Sequence, residues 1–136
     1  MLTVGRSDHE ADYGDRLAAG SEATNLVGLS SLKQLAAHIA AADLVICPES
    51  GPAHMATALG TGVIGLYASS NPQRTGPYLS QKYTINRYPD AIKQHLGRNV
   101  ADVRWGQRVR HPDVMSLIKA EDVVQNIDYF FDDRGS

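Results

Sequence analysis

Apolar residues fall in short clustered runs separated by polar corners, and their spacing alternates between the strand period and the helix period along the chain. Leu44-Val45-Ile46-Cys47 and Val63-Ile64-Gly65-Leu66-Tyr67 are compact, β-branched runs with the length of strands buried on both faces. Gly65 within the second run permits close approach of a neighbour. Between them Met55, Ala56 and Leu59 form one helical face, and Gly60 sits where a left-handed residue closes a helix. Upstream, Leu2-Thr3-Val4-Gly5 reads as the tail of a strand with its turn, and Asp8 as the cap of a helix running to about Ala19. Asn25-Leu26-Val27-Gly28 reads as a short strand. Ser31 to Gln34 has capping-box spacing, and Leu32, Leu35, Ala36 and Ile39 make one core face that leaves Lys33, Gln34 and His38 in solvent. Downstream, a strand is expected at Lys82-Tyr83-Thr84-Ile85-Asn86 and a helix over Asp90–Leu96 ended by Gly97. The closing amphipathic helix spans Ala120–Phe131, with Val123, Val124, Ile127, Phe130 and Phe131 available for packing and Asp132–Ser136 as a tail. Strands alternating with helices predict an α/β fold, a Rossmann-like, mostly parallel sheet of three or more strands with flanking helices.

The corner after Cys47 carries the strongest chemical signal. Pro48 ends the ladder, Glu49-Ser50-Gly51 turns, Pro52 suits the first helical turn, and Ser50 or Gly51 is the cap. This order places backbone N–H groups, expected at Gly51, Ala53 and His54, at the carboxyl edge of a parallel sheet, with the positive end of a helix dipole behind them. A phosphate or pyrophosphate binds such a corner without a lysine. Many α/β proteins cap a helix in this way and bind nothing, so the spacing leaves a structural corner open beside a ligand-bearing one.

Composition narrows the partners. At 136 residues the chain has the size of one domain, and its formal charge of −2 speaks against nucleic acid. Cys47 is the only cysteine, which excludes an intramolecular disulfide and suits a reducing compartment. Apolar stretches break well short of the ~20 residues of a bilayer span, and no signal pattern opens the chain, so a soluble, cytoplasmic protein is expected. There is no CxxC pair, no HExxH, no P-loop and no acid-x-acid spacing at a strand end, so no metal or cofactor is expected.

The run Glu49-Ser50-Gly51-Pro52-Ala53-His54, then Ala56, Ala58-Leu59-Gly60, Val63-Ile64-Gly65-Leu66-Tyr67, Asn71-Pro72 and Arg74-Thr75-Gly76-Pro77 resembles the nucleotide-sugar half of bacterial ADP-heptose:lipopolysaccharide heptosyltransferases. These are metal-independent glycosyltransferases of family 9 with the two-domain GT-B fold. The resemblance covers roughly residues 1–78 and is weak afterwards until the final helix. It implies a donor-binding domain over residues 1–136, lacking its own first strand-helix unit and the whole N-terminal acceptor domain, where the catalytic base is expected. The truncated form should be inactive alone and prone to self-association. By the same resemblance Glu49, Ser50, Gly51, Pro52 and His54 hold the diphosphate. A ribose-binding carboxylate falls near Asp8 or Glu10, and adenine packs near Gly28 and Leu29. Arg74 and Thr75 belong to a cleft loop, where a guanidinium can meet a phosphate or sugar hydroxyl.

The family usually has aspartate where this chain has Glu49, which puts the carboxylate contact in question. Plain readings also stand: Asp8 and Glu10 as first-turn acids favoured by the dipole, and Arg74 and Thr75 as turn residues facing water. Arg104, Arg108, Arg110 and His111 around Trp105 read either as a solvated loop or as a surface for an anionic acceptor or headgroups. The implied partners are ADP-heptose and, through the other domain, the lipopolysaccharide core, with peripheral contact at the inner face of the inner membrane. Two other classes remain open: an epimerase or hydrolase acting on a nucleotide sugar, and a non-catalytic nucleotide-binding or partner-binding module.

Overall fold

A computed structural model describes residues 1–3 and 7–135, and its backbone divides into two compact units, Met1–Ala41 and Ala42–Ser136. In the first unit α1 (Asp8–Ala19) is capped by Ser7 and not by Asp8. Ser7 takes the role through a reciprocal box. Its hydroxyl accepts from the Glu10 N–H at 3.2 Å, while Glu10 Oε2 accepts from the Ser7 N–H at 3.3 Å and from its hydroxyl at 2.6 Å. Asn25–Gly28 is not the strand expected. A single parallel bridge joins Leu2 to Asn25, and the chain then turns through Val27–Leu29 with Gly28 at φ 74°. The Asn25 side chain accounts for this: its oxygen accepts from the Val27 N–H at 3.1 Å, and its amide donates to Asp15 at 2.7 Å, which offers the backbone a local alternative to a ladder. Of the expected opening strand, Val4 and Gly5 lie outside the described residues.

The second helix, α2 (Leu32–Ala41), starts with the Ser31–Gln34 box as its spacing predicts. Its buried stripe runs through Leu35 and Ile39 with His38 half-buried beside them, so His38 is not the solvated residue expected. Leu32, in the open first turn, is 72% exposed instead of belonging to the core face.

The second unit is built on three parallel strands in the order β1 (Val45–Pro48), β2 (Val63–Tyr67), β3 (Ile85–Asn86). β1 starts one residue later than expected and keeps Pro48 in register with Leu66, which an outer strand tolerates because only one donor is lost. As the outer strand of this sheet it is not buried on both faces: Cys47 is buried but Ile46 is 43% exposed. β2 is the buried centre. Gly65 is required there, because a Cβ would lie 2.6 Å from the Tyr67 ring. β3 is shorter than expected, since Gln81–Tyr83 forms a 3-10 turn.

From β1 the chain enters α3 (Gly51–Leu59), closed as expected by Gly60 at φ 76°. Its buried face is Ala53, Ala56 and Thr57, whereas Leu59 is exposed and Met55 only half-buried, because small residues let the helix lie close on β1 and β2. α4 (Pro72–Thr75) is a single turn. α5 (Tyr88–Leu96) begins two residues before the expected Asp90, with Pro89 in its first turn, and ends at Gly97, φ 62°. It packs Tyr88, Ala91 and Ile92 against Ala68, Val109 and Val114.

The last helix, α6 (Ala120–Arg134), covers Ile64, Tyr83 and Ile85 with Phe130, edged by Val123 and Ile127. Those three helix positions share one face; Val124 and Phe131 are rotated off it and exposed, against expectation. Asp132 and Asp133 are helical and not a tail, because the Asp133 carboxylate accepts from the Tyr83 hydroxyl and the Lys82 ammonium. Toward the other end, Asp122 pairs with Arg87 at 2.7 Å.

Two stability tests follow from this packing. A Cβ at Gly62 would stand 2.3 Å from Cε2 of the fully buried Phe130. Gly62→Ala should therefore destabilise the fold by about 1–3 kcal/mol of overpacking in urea titrations, and adding Phe130→Leu should restore part of the loss. Hydrogen bonds from Lys82 and Tyr83 hold the Asp133 carboxyl below its ordinary range. A depressed folded value gives stability that is present above the unfolded pKa of about 3.9 and lost as the pH falls through the folded one. The melting-temperature gap between the chain and Asp133→Asn should thus be widest near neutrality and close in acid.

Candidate functional site

At the carboxyl end of β1 the backbone leaves the sheet through Glu49 and enters α3 at Ser50, whose extended φ of −162° makes it the N-cap residue. Its side chain does not cap: the hydroxyl donates back to the Pro48 carbonyl at 3.1 Å. Pro52 has no N–H, and the Ala53 N–H donates to the Ser50 carbonyl at 3.2 Å, so Ala53 is not one of the free donors expected from the sequence. The His54 N–H is likewise taken by the first intrahelical bond of α3, so of the expected donors helix geometry leaves over only that of Gly51, with the Ser50 N–H beside it. A Cβ at Gly51 would meet nothing within 4 Å beyond its chain neighbours and its own helix, so there is room beside its Cα. The His54 side chain is exposed on α3.

The neighbouring charges come from a segment that the sequence leaves between a solvated loop and a basic surface. Residues 104–111 form a strap anchored on both sides of Arg108: the Tyr88 hydroxyl donates to the Gln107 carbonyl at 2.6 Å, and the Val109 N–H donates to the Ser69 carbonyl, just past β2, at 2.9 Å. Arg108 itself donates to Glu49 Oε2 at 3.0 Å. Gly106, at φ 88°, lies so close to Arg74 that a Cβ would be 3.2 Å from its Nε. Val109 is buried and Trp105 exposed. The basic run was visible in the sequence, but its attachment to Glu49, 59 positions away, was not.

Thr75 of the cleft loop is occupied by the fold: its carbonyl accepts from the Tyr67 hydroxyl at 3.1 Å, and its own hydroxyl donates to the Asn71 carbonyl at 3.4 Å. Burial, then the nearby Glu49 and Cys47, push the Tyr67 phenol up to about 12. Burial likewise raises the Cys47 thiol, partly offset by a hydrogen bond with Ser50. Both groups are therefore neutral near pH 7, and neither is an ionised nucleophile or base there.

Asp8, Glu10, Gly28 and Leu29 all belong to the first unit. Glu10 is engaged by Ser7, which fits its plain reading as a first-turn acid, while Asp8 and Leu29 are exposed. Among the described residues no group of three or more His, Cys, Asp or Glu is placed to hold a metal, and no helix is long and apolar enough to cross a membrane.

The state of Cys47 gives a direct test. In the folded chain it should resist alkylation by iodoacetamide at pH 8, and it should react at the rate of a free thiol once urea unfolds the protein; fast labelling without denaturant would contradict its burial.

The family model for glycosyltransferase family 9 (heptosyltransferase) matches residues 1–100. The chain is 41% identical over 101 residues to the lipopolysaccharide core heptosyltransferase OpsX of Haemophilus influenzae, covering 74% of this chain and 29% of that protein. It is 37% identical over 91 residues to lipopolysaccharide heptosyltransferase 2 of Salmonella typhimurium, covering 64% of this chain and 26% of that protein. The chain thus spans under a third of the length of these relatives. No solved structure gives a significant match. With the family model covering most of its length, on a parallel α/β sheet with flanking helices, the chain belongs to glycosyltransferase family 9, the heptosyltransferases.

Proposed function

We propose that this chain is the donor-binding part of an enzyme that transfers heptose from ADP-heptose to the lipopolysaccharide inner core. The observation that carries the reading is the corner at Ser50–Gly51, where α3 begins without a side-chain cap at the carboxyl end of a parallel strand and there is room beside the Gly51 Cα. An acceptor hydroxyl attacks the anomeric carbon, the bond to the diphosphate breaks, and negative charge grows on the departing ADP. Donors fixed before the reaction stabilise that charge more than they stabilise the bound donor sugar, which lowers the barrier.

In this reading Glu49, Ser50, Gly51, Pro52 and His54 surround the diphosphate, and Pro52 keeps the turn rigid. Arg74 borders the cleft. Neither Tyr67 nor Cys47 supplies a base, and the group that takes the acceptor proton belongs to another part of the enzyme. The reaction takes place at the cytoplasmic face of the inner membrane, where lipopolysaccharide core is the acceptor.

Gly51 separates a ligand role from a structural one. Since no atom beyond its chain neighbours and its own helix lies within 4 Å of a Cβ there and its φ is not in the left-handed region, Gly51→Val should change stability by no more than about 1 kcal/mol. It should nevertheless weaken ADP binding by at least about tenfold in calorimetry, by filling the space a phosphate needs. Ser50→Ala should cost far less, because that hydroxyl bonds to Pro48 and does not cap the helix. Equal, small losses in both variants would remove the corner as the diphosphate site.

A further inference from the structure

We propose that Arg108 is the side-chain cation of this corner, donating to the phosphate oxygens of a nucleoside diphosphate, and that Glu49 is the residue that positions it. The inference rests on the reading of the Ser50–Gly51 corner as a diphosphate site. A guanidinium has five N–H donors in a planar fork, and one of them reaches Glu49 at 3.0 Å. The arginine side chain is 48% exposed while that of Glu49 is only 19% exposed, so the carboxylate is the withdrawn partner and the cation the presented one.

The strap fixes that presentation. The residues on either side of Arg108 are both anchored, Gln107 through its carbonyl and Val109 through its N–H, so the arginine leaves a short, tethered stretch of backbone. Glu49 directly precedes the two donors of the corner. Unpaired, its carboxylate would repel a diphosphate; paired, it cancels its own charge and holds a forked donor beside the site.

Titration of the 136-residue chain with ADP, followed through the Ser50 and Gly51 amide resonances, tests this, with adenosine as the uncharged probe. Arg108→Gln should weaken ADP binding about tenfold and leave adenosine binding unchanged. Arg108→Lys, which keeps the charge but loses the fork and gives a second folded variant, should bind at an intermediate level. Glu49→Gln should also weaken ADP several-fold, although it removes a negative charge from the site, because Arg108 loses its anchor. Arg110→Gln, an exposed cation of the same strap, should change affinity less than about twofold, which excludes a general field effect.

If ADP moves the Ser50 and Gly51 amides but Arg108→Gln and Arg108→Lys bind it as the unaltered chain does, the Arg108 assignment falls and the diphosphate corner stands. Tighter ADP binding by Glu49→Gln overturns the positioning role. If ADP leaves those amides unmoved in the unaltered chain, the corner and Arg108 fall together.

Discussion

β2 is the constraint on which the second unit depends. It is paired in parallel on both edges, and Val63, Ile64, Gly65 and Tyr67 are buried. A strand so enclosed tolerates neither a shift in register nor a larger residue at Gly65, where the Tyr67 ring already fills the space. Because β1 is read off β2 residue by residue from Val45 to Pro48, the height at which the chain leaves the sheet is set by this pairing. The corner at Glu49–Gly51 therefore inherits its position from hydrophobic packing several residues away.

A second consequence falls on the strap. Its only buried apolar residue in the 104–111 stretch, Val109, joins Ala68, Tyr88, Ala91, Ile92 and Val114, so the same core that seats α5 also draws the strap onto the end of β2. With Val109 held there, Arg108 points its head at Glu49. The ion pair is half-exposed and contributes little stability of its own, so its position is better understood as a result of the strap's anchoring than as a cause of it.

What was legible in the sequence was local. Gly60 and Gly97 end their helices in the left-handed conformation, Ser31 and Gln34 form their box, and the five residues of β2 stand as expected, because each depends on neighbours within a turn or on an uninterrupted apolar run. What was not legible depended on distant partners. α3 buries its alanines and Thr57 instead of Met55 and Leu59, since closeness to the sheet outweighs hydrophobic size. α6 runs through Asp133 because Tyr83 and Lys82, about fifty positions earlier, receive its carboxylate. For the site, the order strand, corner and helix was readable, whereas the engagement of Ala53, the internal use of Thr75 and the pairing of Glu49 with Arg108 were not.

The helix ends also differ in how far they satisfy themselves. α1 and α2 close their first turns with their own side chains, through Ser7 with Glu10 and Ser31 with Gln34, and α1 adds acids where its dipole is positive. α3 has neither a side-chain cap nor an acid in its first turn, and its cap residue turns its hydroxyl toward Pro48. A helix end without a side-chain cap costs stability unless water or an anion completes it, since the leftover N–H groups and the dipole both favour negative charge. In a chain of net charge −2 a free anion gains nothing from the overall field, so its attraction to this end must be local. Arg108, neutralising the Glu49 carboxylate at the corner, removes the local repulsion an anion would otherwise meet there without altering the helix itself.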